Sequence, residues 1–147
     1  MLFTTFGNPT HKTLMLIHGL GVSYQVFAPL IEHLQERYHI IAVQVDGFLL
    51  DNENKPVSSV FTSIDDQVDQ LVEHIHTEYD GHIDAAYGLS MGGCIVGKLQ
   101  ERADITIDHV ILDAAPLLPL PRWSIDPLRY YQSFNVWCSY HMSGLFK

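Results

Sequence analysis

The sequence predicts an α/β fold, a doubly wound and mostly parallel sheet, from three observations. Short apolar runs alternate with longer segments whose apolar residues recur at helical spacing, and such alternation builds a mainly parallel sheet with helices on both faces. The runs lack a polar–apolar alternation, as strands covered on both faces do. The third run leads through Gly88-Leu89-Ser90-Met91-Gly92 straight into a helical segment.

The first clear strand is Thr13-Leu14-Met15-Leu16-Ile17, followed by a glycine-containing turn, His18-Gly19-Leu20-Gly21. The next helix runs to about residue 38. Ser23 is one cap for it, while Pro29 fits best in a first turn and puts the start nearer Phe27. Phe27, Leu30, Ile31 and Leu34 form its apolar stripe. Residues 39–45 form the second strand. Residues 46–62, with Asp51, Asn52, Glu53, Asn54, Lys55 and Pro56, read as turn and loop. Ser63, with Asp66 three positions on, opens a helix in a capping-box-like pattern. Its stripe is Ile64, Val68, Leu71, Val72, Ile75 and Tyr79.

The third strand is 83–87, and the helix after Ser90 runs to about residue 102. The fourth strand centres on 110–112 and ends near Asp113-Ala114-Ala115-Pro116. Pro116, Pro119, Pro121 and Pro127 then punctuate a linker. Asp126 as cap and Pro127 at the first helical position start a last helix, which Gly144 ends. The expected division is a core over 1–116 and a linker with a lid-like helix over 117–147.

A chain of 147 residues fits one domain, and 47% hydrophobic with 17% charged residues excludes a disordered segment. The formal charge of −9 disfavours nucleic-acid phosphates and anionic membranes as partners. Cys94 and Cys138 lack both disulfide-framework and metal-site spacing, and free thiols suit a reducing compartment. No basic segment followed by a long apolar stretch opens the chain, and no run approaches the roughly 20 apolar residues of a membrane helix. The expected location is cytoplasmic.

Gly-x-Ser-x-Gly becomes informative through its setting between a strand and a helix. A sharp turn there strains the serine, and flanking glycines leave room where a Cβ would clash. The hydroxyl then stands at the C-terminal end of a strand, where open α/β sheets bind ligands. The unpaired first N–H groups of the following helix favour negative charge, so the Met91 N–H suits an oxyanion forming beside Ser90. A second donor candidate is the Leu20 N–H, at the end of the neighbouring strand.

Both motifs, in order, context and separation, resemble those of the α/β-hydrolase family of serine esterases, and the likeness covers about residues 13–116. The resemblance implies a partial α/β-hydrolase fold with its four strands in the order second, first, third, fourth. It implies Ser90 as the nucleophile of an acyl-serine mechanism, Leu20 and Met91 as oxyanion donors, and esters as the leading substrates. Thioesters, lactones and amides stay open, and no metal or organic cofactor is implied. His18 is expected to orient its turn by hydrogen bonding, not to act as a base.

The family's chain order is Ser, then acid, then His. This chain ends before the usual acid and His positions, so a truncated or fragment form is expected. Asp113 is either an acid or a strand-end aspartate accepting backbone N–H bonds. His141 is either a base or part of an aromatic helix. His74 and His76, two apart on a helix, point to different faces and suit solvent more than a metal. The aromatic tail, Trp123 to Phe146, reads either as lid or as packing surface, and a lid favours a small apolar ester-like substrate. The run 109–112 carries no charged residue or proline to blunt a sheet edge, which predicts self-association or a complementing fragment. The competing expectation is a non-catalytic remnant serving as a binding or assembly module.

Overall fold

The computed structural model describes residues 1–48 and 60–116. Among these, five strands form one sheet: β1 (Leu2–Phe6), β2 (Lys12–Ile17), β3 (Tyr38–Gln44), β4 (His82–Leu89) and β5 (Thr106–Asp113), in the order β1-β3-β2-β4-β5. The pairs β2–β3, β2–β4 and β4–β5 are parallel. The order implied for the four sequence-predicted strands is the order observed. The unbroken apolar runs have a direct cause: Met15, Leu16 and Ile17 of β2 and Ile40, Ile41, Ala42 and Val43 of β3 are all fully buried. Burying each of the larger side chains contributes about 1.5–3 kcal/mol.

Helices cover both faces. α1 (Ala28–Leu34), preceded by a 3-10 turn at Tyr24–Phe27, covers one. There Phe27 and Ile31 pack on Leu14, Leu16, Ile40 and Ala42. α2 (Ile64–Tyr79) and α3 (Met91–Gln100) cover the other, with Leu71, Ile75, Ile95 and Leu99 against Met15, Ile17, Ile41 and Val43. Ser63 starts α2 as expected: its Oγ accepts from the Asp66 N–H at 3.0 Å. The box is only half closed, because the Asp66 carboxylate accepts from Thr62, Gln67 and Gln70. Val68, Leu71, Val72 and Ile75 are buried, the stripe that the 3.6-residue period predicts. No helix among the described residues is long and apolar enough to cross a membrane.

Four expectations need correction. A strand precedes the first predicted one: β1 pairs antiparallel with β3, Leu2 opposite Gln44 and Phe6 opposite Ile40. The Met1 ammonium pins it, lying 2.6 Å from Asp46 Oδ1 with both groups buried. The helix expected to reach residue 38 stops at Leu34, because Tyr38 is drawn into pairing opposite Lys12. The helix after Ser90 ends at Gln100. β5 starts at Thr106, whose N–H donates to Gly81 O at 2.8 Å, so the strand includes Asp108, whose Oδ1 lies 3.1 Å from His82 Nε2. The edge strand therefore includes an acidic residue, Asp108, that the shorter run 109–112 lacks. The predicted loop over 49–59, the linker and lid-like helix, Cys138 and His141 lie outside the described residues.

Candidate active site

β4 passes into α3 at one residue. Ser90 has φ 52° and ψ −113°, a left-handed conformation that costs a non-glycine residue about 1–3 kcal/mol. Its surroundings dictate the glycines around it. A Cβ on Gly88 would lie 2.4 Å from Gly92 O, one on Gly92 would lie 2.1 Å from Ile17 O, and one on Gly93 would lie 2.4 Å from Ala115 Cβ. α3 therefore starts flush against the end of β2, and only a chain without side chains at these positions can make the turn.

The turn is held on three sides. The Ser90 N–H donates to Asp113 O at 2.8 Å, and Ser90 O accepts from Gly93 and Cys94 at 2.9 and 3.3 Å. The Ser90 side chain makes no capping hydrogen bond to α3. Met91, as the first residue of α3, has no intrahelical acceptor for its N–H. The loop after β2 passes alongside: a Cβ on Gly19 would stand 3.3 Å from Ser90 Cβ. Leu20 follows at once and is 47% exposed. Ser90, Gly19, Leu20 and Met91 thus meet at the C-terminal ends of β2 and β4.

His18 sets the shape of that loop. It is fully buried. Its Nε2 lies 3.0 Å from the Val45 N–H, which can only donate, so Nε2 is an acceptor. The proton is on Nδ1, which donates to Gly19 O at 2.8 Å. Gln44 Nε2 also donates to His18 Nε2 at 3.0 Å, while Gln44 Oε1 accepts from the Tyr24 N–H at 3.2 Å. Both ring nitrogens are committed, which fits the orienting role expected of His18. Gln44 is a participant the sequence reading missed. Its signal was one polar residue in the apolar run Ile40-Ile41-Ala42-Val43-Gln44-Val45.

Burial holds the His18 pKa below its ordinary 6.5, against the opposing pull of the Gly19 carbonyl. The folded chain keeps His18 neutral where the unfolded chain is protonated. Its contribution to stability is complete above pH 6.5 and is lost progressively as pH falls from there toward the lower folded value. Each pH unit in that window costs at most about 1.4 kcal/mol. His74, also lowered by burial, adds a slope of the same sign. Urea denaturation from pH 8 to pH 5 should show a steeper loss in wild type than in His18→Gln, and parallel curves would refute a neutral buried His18.

Asp113 ends β5 opposite Leu89. Its carboxylate accepts the Tyr87 phenol O–H, not a backbone N–H. His18 is the one histidine among the described residues at the C-terminal ends of the strands. Among the described residues, no group of three or more His, Cys, Asp or Glu is arranged to hold a metal ion.

The family model described as serine aminopeptidase, S33, matches residues 8–143. The (E)-2-((N-methylformamido)methylene)succinate hydrolase of Acinetobacter baylyi is 33% identical over 103 residues, which are 69% of this chain and 37% of that protein. A carboxylesterase structure from the thaumarchaeon Nitrososphaera gargenis superposes with a TM-score of 0.71 at 17% identity, over 92% of this chain and 48% of that one. A thermophilic esterase from Thermogutta terrifontis superposes with a TM-score of 0.70 at 20% identity, over 86% and 44% of the respective chains. The structural likenesses concern the fold. The chain spans less than half the length of each of these relatives.

Proposed function

The chain belongs to the S33 serine aminopeptidase family of α/β-hydrolases, and from that premise we propose that it is the nucleophile-bearing part of a serine hydrolase acting on carboxylic esters. Thioesters, lactones and amides are the other acyl substrates the same chemistry admits. The names of the relatives, a succinate-derivative hydrolase, a carboxylesterase and an esterase, favour acyl transfer to water.

In this reading the Ser90 hydroxyl attacks the acyl carbon and gives its proton to a base from outside the described residues. The N–H groups of Met91 and Leu20 stabilise the tetrahedral oxyanion, a contribution worth about 3–4 kcal/mol per donor. The alcohol leaves with a proton, and water hydrolyses the acyl-serine. The division proposed is a core over 1–116 and a linker with a lid-like segment over 117–147, and a lid favours an apolar acyl group. The chemistry uses no cofactor, and the cytoplasm is the location proposed.

The observation that carries the proposal is Ser90 at φ 52° between β4 and α3. A serine held at that cost, with its side chain not spent on capping, has a use other than folding. The test is a fluorophosphonate probe and a p-nitrophenyl ester applied to the 147-residue chain. Labelling at Ser90 that is abolished in Ser90→Ala is expected.

A second reading follows from His18, whose two nitrogens are engaged. Without a base the chain is a binding or assembly module that retains the turn, and a folded chain that resists the probe decides for it. For either reading we propose that the outer edge of β5, which pairs only with β4 among the described residues and exposes Ile111, takes a second chain or a complementing fragment. Sedimentation as a monomer at micromolar concentration rules that out.

A further inference from the structure

The chain leaving β5 folds back over the Ser90 turn. Asp113 O accepts the Ser90 N–H at 2.8 Å. Ala114 takes a left-handed φ of 50°, which bends the chain out of the strand direction. Ala115 then sits so close that a Cβ on Gly93 would meet its own at 2.4 Å. Cys94 Sγ donates to Pro116 O at 3.5 Å. Residues 113, 115 and 116 thus contact residues 90, 93 and 94 in turn.

Residue 113 is held by its ladder pairing opposite Leu89 and by a side chain from that same neighbouring strand. Tyr87 donates its phenol O–H to Asp113 Oδ2. The Tyr87 ring is itself held edge-on by Phe27, with centroids 5.7 Å apart and planes at 87°. The series Phe27, Tyr87, Asp113, Ser90 therefore runs from the α1 face of the sheet to the serine amide.

We propose that the Tyr87–Asp113 hydrogen bond is a latch that holds the exit of β5 on the Ser90 turn, so that Tyr87 and Asp113 are positioning residues for the nucleophile. This inference rests on the reading of Ser90 as nucleophile. It also assigns Asp113 a positioning role, in which one carboxylate oxygen, Oδ2, accepts the phenol O–H. Burial, then the hydrogen bond and the negative charge of Asp113, push Tyr87 up to about 12. The phenol therefore keeps its proton, and the latch its donor, across the physiological range.

The test compares Tyr87→Phe, Asp113→Ala and Asp113→Asn in the full chain. Tyr87→Phe keeps the ring against Phe27 and removes only the donor. Asp113→Asn removes the charge and keeps an oxygen that accepts the phenol. Two readouts are needed: the rate of fluorophosphonate labelling and the hydrogen exchange of the Ser90 amide by NMR. Tyr87→Phe and Asp113→Ala should each slow labelling and speed exchange about tenfold, as expected for one lost hydrogen bond. Asp113→Asn should recover both to within about threefold of wild type. If Asp113 is an acid, Asn fails as badly as Ala and Tyr87→Phe labels normally, which overturns the latch. Unlabelled wild type with the exchange pattern intact ends the nucleophile reading and keeps the latch. Normal labelling with unchanged exchange in Tyr87→Phe does the reverse.

Discussion

Gly92→Ala is expected to lower the stability of the chain by about 3 kcal/mol or more, the upper range for overpacked interiors. The new Cβ would stand 2.1 Å from Ile17 O and 2.7 Å from His18 O. These are backbone atoms at the end of the central strand, so no side-chain rotation relieves the clash. Either α3 lifts or β2 gives way. Lifting α3 uncovers Ile95, Val96 and Leu99, all fully buried. Moving β2 disturbs pairing to β3 and β4 together. Gly21→Ala is the contrasting variant, with open space around it and a φ of +75°. It should lose only the about 1–2 kcal/mol of a left-handed alanine. Urea titration reads both as a shift in midpoint at constant slope. A Gly92→Ala protein as stable as wild type would mean that α3 does not start against β2.

Ser90→Gly is expected to eliminate probe labelling and to raise stability by about 1 kcal/mol. Glycine removes a strain of about 1–3 kcal/mol at φ 52°. It gives back about 0.5–1 kcal/mol in chain entropy. Ser90→Ala silences labelling just as fully but keeps the Cβ, and with it the strain, so its melting temperature should stay near that of wild type. The two variants together separate loss of the hydroxyl from relief of the backbone. Equal melting temperatures for Ser90→Gly and Ser90→Ala would show that no strain is stored at this turn. The expected pattern is a trade of stability for chemistry at a single residue.

Much of this architecture was legible because local chemistry dictates it. Ser63 caps α2 through a bond three residues long, and Val68, Leu71, Val72 and Ile75 are spaced by the helix itself. Gly88 is required by a turn that lies within five residues, so the Ser90 turn could be read from the chain, whereas Gly92 answers to Ile17 O and His18 O on another strand. What escaped depends on partners distant in sequence. β1 is a strand because residues 40–44 pair with it, and its own Thr4 and Thr5 give only a weak pattern. Tyr38 left its helix for the same kind of reason. The partners of His18 come from Gln44 and Val45, 26 and 27 residues away. The hydrogen bond from Tyr87 to Asp113 spans 26 residues, and no spacing rule announces it.

The two layers of the molecule are unequally anchored. The 3-10 turn and α1 bury only Phe27 and Ile31, whereas α2 and α3 each bury five residues. A layer fastened by two side chains breathes at a fraction of the cost of global unfolding, so among the described helices α1 is expected to open first in native-state exchange. If the preceding 3-10 turn opens with it, Tyr24 is pulled from Gln44, and Gln44 is what braces His18. The rim of the Ser90 site is thereby geared to the least anchored of the described helices while its floor stays with the better anchored α3.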